Sequence, residues 1–218
     1  MNLQVVSACF YADKTPARRL IQSCERFGLP LHLYGVGEPC KSWYDAKIVR
    51  LRQELERLDC DFVLFVDAAD TIIVSNPVRS EMYDMYSISG ERNCWPDGSI
   101  ASSFSRLGKP RMYPYPNAGG IYGPRTTLIE CLHAIPQYSE NDQECWHRAM
   151  VDRKIFPEID DNATIFQTMD REVIGGTLAK RSDGRLVNLY TMTTPSVIHF
   201  NGGNKEARMQ EFEDWFNG

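Results

Sequence analysis

The 218-residue chain carries a net charge of −5, which excludes a broadly basic surface for nucleic-acid backbones while leaving room for a local patch. Seven cysteines, odd in number and with no C-x-x-C pair, exclude a disulfide framework or a zinc knuckle and point to a reducing, cytoplasmic setting. No segment approaches the ~20 apolar residues of a membrane span, and "MNLQVVSACFYADK" has neither a basic n-region nor a long apolar h-region. The expectation is one soluble domain over residues 1–218 with no membrane partner.

"LQVVSACF" (3–10) is a short apolar run suited to a buried strand. "DKTPARRLIQSCERFG" (13–28) predicts a helix, with Pro16 in its first turn, Asp13 or Thr15 as cap and Gly28 as stop. Ala17, Leu20, Ile21, Cys24 and Phe27 share one face. "LPLHLYGVG" (29–37) reads as a second strand, and "SWYDAKIVRLRQELERL" (42–58) as a helix with Ile48, Leu51, Leu55 and Leu58 on one side. "DFVLFVDAADTIIVSNP" (61–77) supplies a third strand that ends in Asp67 and Asp70 and then turns apolar again. The β-α-β-α-β order predicts a mostly parallel sheet flanked by helices, with ligands beyond the carboxyl ends of its strands.

The second half is less regular. A strand is expected within 85–99, ending near Glu91. "YPYPNAGGIYGP" (113–124) is rich in turn-formers and then gives a short strand. Helices are expected over 125–135 and 142–153, strands over 163–169, 185–190 and 195–202, and a closing helix from Lys205 to Phe216.

Two aspartates three apart at a strand end can converge on one hard cation, Mg²⁺ or Mn²⁺, which in turn holds phosphate oxygens. A plain surface turn capped by Asp67 explains the same residues. A phosphohydrolase of the haloacid-dehalogenase type has its second aspartate two residues after the first. "DAADT" is one residue too long for that.

Several separated segments resemble, in order, the glycosyltransferase domain of the lysyl hydroxylases (procollagen-lysine glycosyltransferases). They are "LYGVGEP", "AKIVRLRQEL", "FVLFVDAADTIIVSNP", "SGERNCWP", "PYPNAGGIYGP", "ENDQECWHRAM", "DDNATIFQTM" and "PSVIHFNGGNK". The resemblance implies a GT-A fold, a UDP-sugar donor and Mn²⁺ (or Mg²⁺) as cofactor. It implies that Asp67, Asp70 and His199 bind the metal. It places Asn201, Gly202 and Lys205 at the diphosphate, Lys47 near the nucleotide sugar, and Phe10 and Tyr11 where the base-binding segment begins. "GGNK" keeps the family's lysine but lacks its proline.

By the same resemblance, "NAGG" (117–120) and "NDQ" (141–143) line the sugar and acceptor side, Asn117 offering an amide donor to sugar hydroxyls, and Glu91 faces the site. Asp142 could take the proton of an attacking hydroxyl or hold a sugar hydroxyl, while Ser139, Asn141 or Asp142 could equally cap a helix. Trp95 reads as core, with stacking on an acceptor ring as its other use. The expected activity is metal-dependent transfer of a hexose, glucose or galactose, to a hydroxyl on a glycan, a hydroxylated protein or a hydroxymethylated DNA base. Arg106, Lys109 and Arg111 are the local basic residues that keep DNA open. With little chain left after "NGGNK", the transferase is expected to stand alone. A nucleotide-sugar hydrolase or phosphohydrolase and a non-catalytic binding protein are the rival readings.

Overall fold

In the computed structural model the described residues are 2–77, 86–105 and 112–218, with the side chain of Ser105 set aside; Arg106, Lys109 and Arg111 lie outside them. Strands β1 (Leu3–Ala8), β2 (Leu31–Tyr34) and β3 (Phe62–Val66) form the first half of a central sheet. Strands β5 (Ser87–Glu91), β6 (Tyr115–Pro124) and β7 (Glu158–Asp160) complete it, in the order β2-β1-β3-β6-β5-β7. Only β6 runs against its neighbours, so the sheet is mostly parallel, as the alternation of strands and helices predicts.

The pleat of β3 sorts its side chains. Val63 and Phe65 join a cluster with Leu51 and Leu55 of helix α2 (Arg50–Arg57), Leu128 and Leu132 of α4 (Arg125–Ala134), and Trp146 of α5 (Asp142–Val151). Leu64 and Val66 point the other way, to Leu20 and Cys24 of α1 (Arg18–Phe27) and to Phe166 and Val197. A five-residue run apolar throughout is what a strand buried on both faces requires. The remaining helices are the short α3 (Ala101–Ser105) and α6 (Ile174–Thr177) and the closing α7 (Lys205–Asn217). Among the described residues no helix is long and apolar enough to cross a membrane.

A second sheet packs beside the first. It joins β4 (Thr71–Ile73), β11 (Val197–His199) and β8 (Phe166–Thr168), with β11 antiparallel to β4 and parallel to β8. Its outer side, with Ile198 and Phe200, buries Met209 and Phe212 of α7. A hairpin of β9 (Leu178–Lys180) and β10 (Leu186–Asn188) adds to this end.

Two expectations change. The 113–124 segment is not turns plus a short strand. Its last ten residues, Tyr115–Pro124, are β6, buried along most of its length. The helix expected over 42–58 contains a π-helical turn, Asp45–Val49, ahead of α2. At the helix starts, Asp13 Oδ1 accepts the Thr15 amide at 2.7 Å, and Asn141 caps α5 by accepting from the Glu144 amide at 2.9 Å. Asp142 is thereby freed from capping.

Candidate active site

β3 ends at Val66, and Asp67 follows with its amide bonded to Gly119 O at 3.1 Å. Three residues on, Asp70 opens into β4. The register pairs Thr71 with His199, so an acid and an imidazole 129 residues apart become neighbours through sheet hydrogen bonds. His199 Nε2 lies 3.6 Å from Asp67 Oδ2 and 3.5 Å from Asp70 Oδ1. One ligand atom from each of the three residues falls within 4.8 Å of the others, and no other such group of acids, histidines and cysteines occurs among the described residues.

Two lysines lie on these acids. Lys47 Nζ is 2.6 Å from Asp67 Oδ1 and 3.2 Å from Asp142 Oδ2. Lys205 Nζ donates to Asp70 Oδ2. Burial alone would lower the Lys47 pKa, but Asp142 and Asp67 together hold it above the ordinary amine range. Burial would raise the Asp70 carboxyl, yet His199 and Lys205 hold it below the usual carboxylate range. For Asp142 burial wins, and its pKa is raised despite Lys47. Lys47 is therefore not a solvated helix residue. The π turn aims it into the site, in keeping with the concentration of such turns at functional positions.

These groups line one cleft of about 970 Å³. It takes in Tyr11, Lys47, Asp67, Asp70, Glu91, Asn117, Asp142, His199, Asn201, Gly202 and Lys205. Glu91 lies in its floor, buried, accepting from Gln143 Nε2 and from Asn201 Nδ2 at 2.7 Å. Burial pushes its pKa up to about 7, against the hydrogen bonds from Gln143 and Asn117. Asn117 Oδ1 accepts from the Gly119 amide at 2.9 Å. Asn201 Oδ1 accepts two amides, Met169 at 3.0 Å and Asp170 at 2.9 Å, so this residue orders the loop before Lys205.

Phe10 is the exception. Its ring packs edge-on to Tyr34, centroids 6.0 Å apart, and fills the space over Gly35, outside the cleft lining. The side chain above a glycine is drawn to the core, and only Tyr11 turns to the site. Trp95 is also corrected: it is 55% exposed and lines the cleft rather than the core.

Trp43 had no functional reading from sequence, whereas Gly119 and Gln143 lie in the segments 117–120 and 141–143 that the resemblance assigns to the sugar and acceptor side. Trp43, 42% exposed, lies with its ring 5.5 Å from Lys47 Nζ, one turn earlier in the same helical segment. Gly119 has a sharper role. A Cβ there would come within 2.1 Å of His199 Cε1, so the imidazole occupies space that only glycine leaves. Gln143 knits the floor together, donating to Glu91 and to Trp95 O (2.8 Å) while its Oε1 accepts the Ala118 amide at 3.3 Å. The "NAGG" and "NDQ" segments were the signal for both.

A central, mostly parallel sheet with an acid-lined cleft beyond the end of β3 is the arrangement of a nucleotide-sugar transferase of GT-A type. The fold is similar to that of a glycosyltransferase involved in the glycosylation of the major capsid of PBCV-1, with a TM-score of 0.58 over 98% of this chain and 100% of that one, at 13% identity. The profile of the PLOD GT domain matches residues 2–217, and the chain belongs to that glycosyltransferase family. It is also 26% identical over 157 residues to a procollagen-lysine,2-oxoglutarate 5-dioxygenase of Drosophila melanogaster. That match covers 66% of this chain and 21% of the relative, so the chain corresponds to a minor part of that protein.

Proposed function

We propose that the chain transfers a hexose, glucose or galactose, from a UDP donor to a hydroxyl acceptor with Mn²⁺ (or Mg²⁺) as cofactor, and that residues 1–218 act as one catalytic unit. The observation that carries this is the convergence of Asp67, Asp70 and His199, two carboxylates and one imidazole, within 4.8 Å in the wall of the cleft. That mixed oxygen and nitrogen donor set suits Mn²⁺, and His199 Nε2 already faces both acids. Bound there, the ion would neutralise charge on the departing diphosphate.

The chain's own residues supply the rest. Lys205 begins α7 and offers its ammonium to the diphosphate, while Gly202 takes the left-handed turn at φ 91° with the Asp170 carboxylate against it, where a Cβ would meet Oδ1 at 2.7 Å. Asn201 fixes that loop through its bonds to Met169, Asp170 and Glu91. Tyr11, 39% exposed at the cleft edge, offers an aromatic wall to a base. Lys47 bridges Asp67 and Asp142 and orients both. Asp142, raised in pKa by burial, is placed to accept the acceptor's proton or to hold a sugar hydroxyl. Asn117 presents its side chain at the same wall, and Trp95 a ring on which an acceptor could stack. Holding donor and acceptor in line in a preorganised pocket supplies the main rate gain. The acceptor is a glycan, a hydroxylated protein or a modified base.

The test is a donor screen. The protein is incubated with UDP-glucose, UDP-galactose and other nucleotide sugars plus Mn²⁺, and UDP release is measured with and without candidate acceptors. Acceptor-dependent release supports the proposal. Equal release without acceptor marks a hydrolase, and binding without release marks a silent relative.

A further inference from the structure

We infer that Arg19, on α1 and outside the cleft, is a positioning residue for Lys205: it fixes the first turn of α7 so that the lysine reaches the site. This rests on the donor-binding reading of Lys205. Arg19 is only 7% exposed, an unusual place for a guanidinium unless it is fully engaged. Its Nη1 lies 2.8 Å from Glu206 Oε2, its Nε 2.9 Å from Glu213 Oε2, and its Nη2 3.4 Å from Gln210 Oε1. Glu206, Gln210 and Glu213 follow at spacings of four and three, so they form one stripe along α7. Arg18 adds a second bond to Glu206.

Glu206 is the residue next to Lys205. The loop entering α7 passes through left-handed backbone at Gly202 (φ 91°) and Asn204 (φ 55°), and no side chain caps the helix start. The position of that first turn is therefore set by what α7 leans on. The same α1 also holds the other half of the pair. Ser23 Oγ accepts the Ile73 amide at 3.2 Å, in the strand that begins directly after Asp70. One helix thus holds both sides of the Asp70–Lys205 pair at two bonded points, beside Arg208, which ties the same turn of α7 to the Met169 and Glu172 carbonyls. A planar fork that engages three acceptors fixes direction as well as charge, which one ammonium does not.

The test is a double-mutant cycle on the full chain, reading UDP affinity in the presence of Mn²⁺ by calorimetry for Arg19→Met, Lys205→Met and the pair. Lys205→Met is expected to weaken UDP binding about tenfold, the effect of one charge-assisted hydrogen bond. Arg19→Met should weaken it about fivefold, and the double variant should bind no more weakly than Lys205→Met. Glu213→Gln, at a half-buried partner, should give a smaller loss and serves if Arg19→Met does not fold. Full additivity of the two losses overturns the inference, because a purely structural role would persist without the lysine. So does unchanged affinity in both Arg19→Met and Glu213→Gln. If Lys205→Met alone binds UDP normally, the donor reading of Lys205 fails first and visibly, and the inference falls with it.

Discussion

The imidazole of His199 stands in the space a side chain on residue 119 would fill: a Cβ built on Gly119 meets His199 Cε1 at 2.1 Å. The ring is 3% exposed, and its Nδ1 has no hydrogen-bond partner among the described residues. Packing, not bonding at that nitrogen, therefore holds it against the acids. Gly119→Ala is expected to force the ring or β6 aside, costing about 1–3 kcal/mol in stability. Mn²⁺-dependent UDP binding should fall at least about tenfold by calorimetry. Normal affinity in this variant would mean that His199 does not ligate from this position.

Asp70→Ala and His199→Ala test the metal set directly. Each removes one ligand atom from the trio, and each should lower Mn²⁺ affinity by about tenfold or more, read from the paramagnetic signal of free Mn²⁺. Asp70→Ala also leaves Lys205 without its carboxylate partner. If both variants retain full metal-dependent donor binding, the ion is held elsewhere.

Lys47 gives a prediction about stability as well as activity. It is the ammonium between two acids, and Asp142 is 5% exposed. Lys47→Met leaves a buried carboxylate without its counter-charge, and chemical denaturation at pH 7 should show a loss of about 3–5 kcal/mol. Adding Asp142→Asn should recover a large part of that loss by removing the stranded charge, although turnover stays low. A recovery near zero would show that Lys47 acts on Asp67 alone.

Glu91 carries the pH dependence. Its folded pKa of about 7 lies above the ordinary 4.5, chiefly through burial. Between those values the folded state binds more protons than the unfolded one, so stability falls as pH rises through the window. The benefit of the neutral acid is complete below about pH 4.5 and gone above about 7. Glu91→Gln stays uncharged, so relative to it the wild type should lose about 3 kcal/mol between pH 4.5 and 8. Urea titrations of both proteins across that range check the difference; parallel curves would mean that Glu91 is ionised in the fold throughout.

Much of this is legible in the amino-acid sequence. The strand over 62–66 was legible as an unbroken apolar run, that over 3–8 as a mainly apolar one, and α1 by its apolar stripe and the stop at Gly28, whose φ is 63°. Asp67, Asp70 and His199 were legible through resemblance, because spacing alone cannot bring residue 199 to residue 70. β6 was not legible. Its Pro116, Asn117, Gly119 and Gly120 spell a turn locally, but the glycines answer to neighbours from distant sequence, His199 at one and Phe166 at the other. Trp95 and Phe10 were exchanged for a related reason. Apolar character says that a ring prefers cover, but only the path of the chain decides whether cover exists. Lys47 was tied to the site only by resemblance, because nothing local shows that its helix carries a π turn.

The β4–β11 register has a consequence for the order in which the site comes into being. Asp70 emerges early in synthesis and waits beside an empty sheet edge until residues 197–199 arrive to pair with it. A nascent chain halted before that strand owns two acids but neither the imidazole nor Lys205. On the proposed metal reading, products truncated before residue 197 lack the third ligand of the trio, which is complete only when the late strand docks.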